Sequence, residues 1–442
     1  MRDTVLRLCA ESRIVIEMTR HLDLRRLGQW IVLGHVVGVV CGAGAALFLW
    51  LLDLATHTRS QHPQIVYALP LAGLLIGWFY QRVGQSVKAG NNLVIDTISD
   101  NGPEIPLRMA PLVLLGTVLT HLFGGSAGRE GTAVQLGASL TDFLSHRLRL
   151  SVTLRRQLLC AGVAGGFGAV FGTPIAGLIF GLEFVVLGRI EYEALVPSLI
   201  AALIGDLVTR SLGIVHTSYP IPAALPLSPL LLGKWLLFSI AVALTSTLFI
   251  ELTHVLKKQS ERFLPQLSVR MMMGGLCVVG LWKLSGTDDY LGLGVPTIVR
   301  AFSDPTLPSY SFAAKLIFTA LTLGAGFLGG EVTPLFFIGA ALGNVLSQAL
   351  GIPLALGAGV GLAAVFAASA NTPLALSVMA VELLGAHVLP HVVIVCVLSY
   401  LLCGHRSIYI AQRMFRTKPG TQLAQAASLR HDVTEPSKQA DS

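Results

Sequence analysis

The chain has 442 residues, of which 53% are hydrophobic and only 12% are charged. Soluble domains average roughly 25% charged residues, so this composition leaves too little polar surface for a soluble globule and predicts a surface that mostly faces lipid. The net charge of +7 does not indicate a nucleic-acid partner, because the basic residues cluster at the ends of apolar segments, as cytoplasmic topology signals do.

The N-terminal 28 residues are amphipathic and mixed in charge. A cleavable signal peptide would have a basic stretch followed by an apolar core, so residues 1–28 are instead predicted to form a cytoplasmic surface segment. The six cysteines are scattered without a CxxC pair, which disfavours disulfides and zinc. We therefore predict neither a metal site nor a cofactor.

Eight long apolar runs follow along the chain. They cover residues 29–55, 65–80, 105–123, 194–213, 229–254, 271–284, 311–328 and 388–403. Each is long enough, or nearly so, to cross about 30 Å of hydrocarbon as a helix that rises about 1.5 Å per residue. These runs predict an all-α polytopic membrane protein, and the basic clusters at their ends predict that both termini lie in the cytoplasm.

Four further apolar stretches are interrupted by glycine, proline and a few charges, at residues 124–145, 160–187, 329–350 and 355–386. They are typical of short or broken helices, which a membrane tolerates only where the irregular backbone is buried in protein or lines a cavity. Broken segments in corresponding positions indicate inverted repeats of tilted helices with a binding site between them.

The repeat is visible in three landmarks that recur in the same order: a glutamate in a glycine-rich turn, a Thr-Pro pair, and a second glutamate nine residues after the proline. They are Glu130, Pro174 and Glu183 in the first half, and Glu331, Pro373 and Glu382 in the second. We predict a first transmembrane repeat over residues 29–215, a second over 216–417, and a polar, disordered tail over 418–442.

Three glycine-rich turns, at residues 89–92, 126–131 and 329–333, each precede an apolar helical run. An anion that has lost its water needs hydrogen-bond donors that are held at fixed positions around it. Backbone N–H groups at a helix N-terminus supply such donors, and the helix dipole adds a favourable potential. The three turns are therefore candidate parts of an anion site.

Acidic residues at membrane depth are costly and require a reason. Glu130 can act as a tethered competitor of the anion that swings away when protonated, or it can be a helix-start acid that pairs with Arg129. Glu331 can be a protonated donor or proton carrier, or a buried acid satisfied by backbone amides. The residues leave these alternatives open. We interpret Glu183 and Glu382 as structural.

A different class of function is suggested by Gly124–Gly128, which formally fits the GxSxG motif of serine hydrolases, with His121 nearby. That motif requires a strand-to-helix elbow with a positioned base and acid. The sequence has no strand context here, and the repeat accounts for the glycines better, so we do not predict an enzyme.

The glycine-rich turns resemble the signature motifs of the CLC family of anion channels and proton-coupled antiporters. Residues 128–131 match the family's GREGP motif, with Thr132 in place of proline. Residues 330–334 match its GxFxP motif, with Val332 in place of phenylalanine. The resemblance extends over about residues 25–417.

Two further positions carry the resemblance. Asn91 lies where the family's GSGIP-like motif usually has an anion-binding serine, although a one-residue shift would give Asn92 that place. Tyr409 matches the central tyrosine of the family; taken alone it is typical of an interfacial aromatic residue. An inner proton glutamate of chloride-type members would fall directly after Glu183, where this chain has Phe184.

Asparagine for serine, and a Glu-Thr pair in the second motif, are similar to the fluoride/proton antiporter branch of the family. The resemblance implies that Glu130 gates the pore and transfers protons, and that Glu331 belongs to the fluoride or proton route. It implies anion contacts at Asn91, Gly128, Arg129, Gly131, Gly330, Val332, Thr333 and Tyr409.

The expected function is therefore proton-coupled fluoride export. A chloride/proton antiporter or a passive chloride channel on the same scaffold is the alternative. The expected partners are fluoride, protons and the lipid bilayer. The resemblance further implies a homodimer with one pore in each chain, in a bacterial inner membrane.

Overall fold

The structure, a computed structural model, describes residues 24–100, 102–418 and 422–429. This part of the chain contains sixteen α-helices. In chain order they are α1 Leu24–Gln61, α2 Leu69–Val83, α3 Asn91–Asp100, α4 Met109–Leu122, α5 Glu130–Arg147, α6 Val152–Phe171, α7 Pro174–Glu183, α8 Leu195–Ser211, α9 Pro229–Phe263, α10 Leu267–Ser285, α11 Val295–Arg300, α12 Ser311–Gly324, α13 Val332–Leu350, α14 Leu354–Ala370, α15 Pro373–Leu384 and α16 Leu389–Leu402.

The helices α1–α8 correspond in order to α9–α16. The long first helices α1 and α9 have 38 and 35 residues, and the helices that follow the two signature turns, α5 and α13, have 18 and 19. The repeated, mostly helical architecture predicted from the sequence is confirmed. The predicted N-terminal surface segment lies outside the described residues as far as residue 23, and α1 begins five residues before the predicted start of the first repeat.

The helices break at the same place in both repeats. Between α6 and α7, Gly172 adopts a left-handed conformation with φ 72°, and a threonine and Pro174 follow. Between α14 and α15, Asn371 adopts φ 59°, and a threonine and Pro373 follow. A left-handed residue ends a helix, and proline is favoured at the first turn of the next. The Thr-Pro landmarks of the sequence are therefore helix restarts.

The outer surface of the helices is apolar. On α9, Leu230, Leu244 and Leu248 are 72%, 66% and 56% exposed, which a soluble protein would avoid at this density. By length and composition, six helices in the described part of the chain can cross a membrane, and further shorter helices are also apolar. The protein is a multi-pass membrane protein.

Glycines let helices cross closely at equivalent places in the two repeats. A Cβ atom added to Gly137 on α5 would lie 2.3 Å from the carbonyl oxygen of Gly162 on α6. A Cβ added to Gly339 on α13 would lie 2.1 Å from the carbonyl oxygen of Gly361 on α14. Close backbone contact through small residues is a common way to pack helices in lipid. These crossings fix the directions of the two helices that begin at the signature turns.

Two glutamates join the repeats by reciprocal capping. The carboxylate of Glu183, at the end of α7, accepts hydrogen bonds from the backbone of Leu374 (3.2 Å) and Ala375 (2.9 Å) at the start of α15. The carboxylate of Glu382, near the end of α15, accepts from Ile175 (3.0 Å) and Ala176 (2.7 Å) at the start of α7. The two helices therefore run antiparallel, and both glutamates satisfy otherwise unpaired N–H groups, in agreement with their predicted structural role.

A small sheet lies outside the helical body. Strand β1 (Val186–Leu187) pairs in parallel with β2 (Arg413–Arg416), which pairs antiparallel with β3 (Gln422–Ser428). The prediction of a disordered tail over 418–442 is wrong for residues 422–428, because strand pairing with β2 orders them. Residues 430–442 lie outside the described part of the chain.

Candidate anion pathway

The two signature turns contact each other through their backbones. The N–H of Gly128 donates to the carbonyl of Gly330 at 2.6 Å, and the N–H of Gly330 donates to the carbonyl of Gly128 at 2.8 Å. This isolated antiparallel bridge places the N-termini of α5 and α13 together. The sequence repeat thus becomes a single site with one helix N-terminus from each half.

The carboxylate of Glu130 is fully buried and occupies the N-terminus of α13. Its Oε2 accepts hydrogen bonds from the backbone N–H of Thr333 (3.1 Å) and of Arg129 (3.0 Å). Its Oε1 accepts a hydrogen bond from the hydroxyl of Thr333 and lies 3.5 Å from Nε of Arg129. A negative group is therefore bound by backbone N–H groups, a hydroxyl and a cation, which are the donors that a small anion requires.

This geometry bears on the two alternatives for Glu130. Its carboxylate does lie close to Arg129, as expected for a helix-start acid that pairs with this cation. However, both of its oxygens also accept hydrogen bonds from Thr333, so the carboxylate is held by the helix of the other repeat and not only by its own. A side chain that fills an anion site from outside the helix can be displaced by an anion.

The two neighbouring asparagines have different surroundings. Asn91 is buried, its Nδ2 lies 3.0 Å from the position that a Cβ of Gly131 would take, and its Oδ1 has no hydrogen-bond partner among the described residues. Asn92 instead accepts a hydrogen bond at Oδ1 from the backbone of Ala411 at 2.9 Å. Asn91 therefore faces the start of α5, and Asn92 fastens the loop that carries Tyr409.

Tyr409 is buried and held by its surroundings. Its ring lies edge-on to Phe184, with the centroids 5.9 Å apart. The side-chain amide of Gln412 donates to the carbonyls of Phe184 (2.8 Å) and Ala370 (2.9 Å), and the hydroxyl of Ser407 accepts from the N–H of Tyr409 at 3.0 Å. Phe184 thus packs directly against the tyrosine.

A cavity of about 180 Å³, which we call the inner cavity, lies beside these residues. It is lined in part by Asn91, Thr132, Lys257, Arg270, Glu331 and Tyr409. Arg270 is buried and its Nε donates to the carbonyl of Ala325 at 3.2 Å. By sequence, Lys257 and Arg270 belong to the basic clusters that indicate topology. The structure shows that both also line this cavity, which their positions at the ends of apolar segments do not reveal.

A second, outer cavity of about 680 Å³ is lined in part by Arg59, Arg129, His216, Asp288 and Asp289. The two cavities share no lining residue, and Glu130 lines neither of them. Arg129 reaches the outer cavity, whereas Glu331 and Asn91 reach the inner one. The residues on either side of Glu130 thus contact different cavities: Arg129 lines the outer one, and Gly131 lies against Asn91, which lines the inner one.

The remaining predicted site residues lie at the same place. Gly131 and Val332 are buried in the first turns of α5 and α13. Thr132, which replaces the proline of the family motif, shares a hydrogen bond of 2.6 Å between its hydroxyl and that of Thr117. The sequence does not single out Thr117, because a threonine inside an apolar run carries no distinctive signal.

The hydrolase alternative disagrees with the geometry. The hydroxyl of Ser126 bonds to that of Thr319 at 2.9 Å, and the backbone N–H of Ser126 donates to Thr322 at 3.1 Å. His121 contacts the carbonyls of Thr117 and Ala127 through its two ring nitrogens. The serine and the histidine thus bind other groups, in a turn between two helices and not in a strand-to-helix elbow.

Comparison with known proteins places the chain in a family. Residues 72–404 match the family described as "Voltage gated chloride channel". The "Chloride/fluoride channel protein" of Pseudomonas syringae pv. tomato (strain ATCC BAA-871 / DC3000) is 46% identical over 398 residues, which are 89% of this chain and 88% of that protein. This chain therefore belongs to the CLC family of voltage-gated chloride channels and their relatives.

Solved structures agree with this assignment. The crystal structure of a CLC-type fluoride/proton antiporter superposes with a TM-score of 0.85 and 36% identity, and the match covers 89% of this chain and 99% of that one. A slow cyanobacterial Cl⁻/H⁺ antiporter gives a TM-score of 0.76 at 18% identity over 85% of this chain and 94% of its own. The second likeness concerns the fold alone.

Proposed function

We propose that this protein is a proton-coupled antiporter that exports fluoride through a pore in each chain. The observation that carries the proposal is the carboxylate of Glu130 bound by the N–H and hydroxyl of Thr333 and by Arg129. The similarity to a chloride/fluoride channel protein and to a CLC-type fluoride/proton antiporter supports the same substrate.

Exchange follows from competition for one set of donors. An ionised Glu130 occupies the N-terminus of α13 and closes the path between the two cavities. A proton on this carboxylate removes its charge and weakens its bonds to Thr333, so an anion takes its place. When the proton leaves on the other side, the carboxylate returns and displaces the anion. Protons and anions then move in opposite directions.

Fluoride selectivity is proposed to rest on strong donors in a small site. Fluoride is smaller and more strongly hydrated than chloride, so its site must replace stronger hydrogen bonds. The amide of Asn91, the hydroxyls of Thr333 and Tyr409, and a protonated Glu331 would supply them. A poorly fitting chloride would leave such donors unpaired, at a cost of roughly 1–3 kcal/mol each.

The inner proton path differs from that of a chloride-type antiporter. Phe184 carries no proton, and its ring packs against Tyr409. Glu331 lines the inner cavity and lies next to the first turn of α13. We propose that protons reach Glu130 by way of Glu331 and the inner cavity, and that anions use the same cavity between the cations Lys257 and Arg270.

The assembly and location are proposed from the resemblance. The protein would form a homodimer with two independent pores in a bacterial inner membrane, with both termini in the cytoplasm. The first transmembrane repeat would comprise residues 29–215 and the second 216–417. The bilayer is the partner that the exposed apolar helix surfaces require.

The proposal is tested with proteoliposomes loaded with equal fluoride and chloride. An anion-specific electrode for each ion and a pH electrode record the same suspension, and protein-free vesicles are the control. We expect fluoride to leave much faster than chloride while protons enter. Equal or faster release of chloride would contradict the substrate, and anion release without proton uptake would favour a passive channel instead.

A further inference from the structure

His121 has surroundings that a neutral histidine does not satisfy. It lies at the end of α4 and is fully buried. Its Nδ1 lies 2.8 Å from the carbonyl oxygen of Thr117, and its Nε2 lies 2.9 Å from the carbonyl oxygen of Ala127. A carbonyl oxygen only accepts hydrogen bonds, whereas a neutral imidazole has a single N–H. One of the two short contacts is therefore satisfied only when the ring carries a second proton.

A second buried histidine shows the contrasting arrangement. Nδ1 of His391 accepts a hydrogen bond from the indole N–H of Trp235 at 3.1 Å, and its Nε2 lies 2.9 Å from the carbonyl of Leu225. Because an indole nitrogen only donates, this ring needs an N–H at Nε2 alone. His391 is satisfied as a neutral ring, so burial alone does not produce the arrangement around His121.

We propose that His121 is a second proton-binding site, at which a proton on Nε2 holds the loop that carries Glu130. Ala127, whose carbonyl faces Nε2, comes three residues before Glu130 and directly before Gly128 of the backbone bridge. With the proton bound, Nε2–H donates to this carbonyl and fixes the loop. Without it, the ring keeps one N–H, so a lone pair faces the carbonyl oxygen of either Ala127 or Thr117, and one of the two contacts that hold the loop is lost.

The charges around His121 link its proton to the anion. Among the described residues, the charged groups that act on His121 are both cations: Arg59 of α1, which donates to the backbone carbonyl of His121, and Lys315 of α12. The carboxylate of Asp288 acts on Arg59. Lys315 is fully buried and donates to the carbonyls of Tyr290 (3.1 Å) and Gly292 (2.6 Å), not to a carboxylate. In this buried position, a third positive charge beside the two cations is unfavourable by itself. We therefore infer that it requires an anion in the adjacent pathway, either fluoride or the carboxylate of Glu130. Proton binding at His121 and anion binding in the pore therefore favour each other.

The link between His121 and transport rests on the proposed antiport. Proton binding at His121 is independent of that proposal. His121 touches neither cavity, so it is a positioning residue that acts through the loop of residues 123–129. A purely structural histidine in this place would keep one protonation state across the range of pH in which histidines titrate, about 5 to 8.

The deciding measurement is nitrogen NMR of the full chain in lipid nanodiscs, with ¹⁵N-labelled histidines. The ring-nitrogen signals of His121 are those that disappear in His121→Gln, and the signals of His391 are those that disappear in His391→Gln. In the presence of fluoride, we expect His121 to carry two N–H groups at acidic pH and to lose one as the pH rises. When fluoride is removed, this loss should occur at a lower pH. His391 should keep a single N–H throughout. A single N–H on His121 between about pH 5 and 8, with and without fluoride, would overturn the proposal.

Transport supplies the second readout. Glutamine in place of His121 donates an amide N–H to Ala127 without titrating, so His121→Gln should retain fluoride efflux but lose part of its pH dependence. His391→Gln should keep the wild-type pH profile. An unchanged profile in His121→Gln would overturn the link to transport.

If that variant does not fold, as judged by size-exclusion chromatography, His121→Asn takes its place. Failure of the proposed antiport itself would appear separately, as efflux without proton movement in the wild type.

Discussion

The carboxylate of Glu130 is bound by groups that would hold a fluoride ion equally well. Backbone N–H groups, the hydroxyl of Thr333 and the guanidinium of Arg129 all converge on it. Its two neighbours along the chain differ in kind: Arg129 faces the outer cavity, whereas Gly131 lies against Asn91. The residues that flank Glu130 therefore contact different cavities.

The first prediction concerns the charge of this side chain. Glu130→Gln keeps the shape of the residue but removes its negative charge and its ability to carry a proton. We expect fluoride to move without any accompanying proton flux, as measured by simultaneous fluoride and pH recording in proteoliposomes. Glu183→Gln is a matched control in another buried glutamate, and its proton coupling should remain. Full proton coupling in Glu130→Gln would contradict the gating role.

The second prediction concerns the hydroxyl that bonds to Glu130. Thr333→Ala removes a hydrogen bond to a charged group, which contributes about 1.5–3 kcal/mol. A fluoride ion in the place of the carboxylate would lose the same bond. In the Glu130→Gln background, which has no ionised competitor, fluoride affinity should therefore fall by roughly tenfold to a hundredfold, as measured by isothermal titration calorimetry in detergent. Thr333→Ser keeps the hydroxyl and should bind nearly as wild type. A parallel loss of folded protein in Thr333→Ala would indicate a structural role instead.

The third prediction separates the two asparagines. Asn91 faces Gly131 and the inner cavity, whereas Asn92 is bonded to the loop of Tyr409. We expect Asn91→Ser to raise chloride efflux relative to fluoride and to leave thermal stability nearly unchanged. Asn92→Ser should lower thermal stability without reversing the preference for fluoride. If Asn92→Ser raised chloride efflux and Asn91→Ser lowered thermal stability instead, Asn92 would take the place of the family's serine.

At the scale of the elements, the repeat is built from matched devices. Each half contains a glycine crossing, a left-handed helix end and a Thr-Pro restart, and the glutamates Glu183 and Glu382 cap each other's helices. Both caps fill helix N-termini that would otherwise attract anions. Together these devices leave the N-termini of α5 and α13 free to meet at the centre.

A fourth prediction tests the crossing of α13 and α14. Gly339→Ala would place a methyl group 2.1 Å from the carbonyl oxygen of Gly361. Such overpacking costs about 1–3 kcal/mol, so the temperature at which the protein leaves the monodisperse size-exclusion peak should fall. Gly280→Ala on α10 meets nothing within 4 Å and should be neutral or slightly stabilising. Equal stability of both variants would show that the crossing is not tightly packed.

Most of the helices could be predicted from the sequence. In lipid, long apolar runs must form helices, and the Gly and Pro positions that recur in both halves mark where these helices break. The ordering of residues 422–428 as a strand could not be predicted, since it depends on β2, which is distant from the transmembrane pattern. The short helix α11 also gave no signal, because six residues are too few to show a period.

The site was predictable where residues recur in both repeats, as Glu130 and Glu331 do. It was not predictable where a residue acts through three-dimensional position alone. Thr117 contacts Thr132 from a different helix, and Lys257 and Arg270 line a cavity from segments that look like ordinary cytoplasmic ends. In the sequence, His121 resembles part of a hydrolase motif, and only the fold brings its two carbonyl neighbours against the ring.

At the scale of the whole molecule, two cavities have no lining residue in common, and the carboxylate of Glu130 is buried outside both of them. The repeats place one helix N-terminus from each half beside this carboxylate. Such an arrangement couples two fluxes only if an anion and the carboxylate exclude each other. Coupling is a thermodynamic property, so it can be measured without knowledge of rates or of which conformations the protein adopts.

The most direct test is to ask whether protons alone can drive fluoride. Proteoliposomes contain the same fluoride concentration inside and outside, the membrane potential is clamped with potassium and valinomycin, and the external pH is lowered. We predict that fluoride leaves the vesicles against its developing gradient as protons enter, and that Glu130→Gln abolishes this movement. A wild-type protein in which the pH step moves no fluoride, although fluoride exchanges freely across the membrane, would contradict proton-coupled antiport.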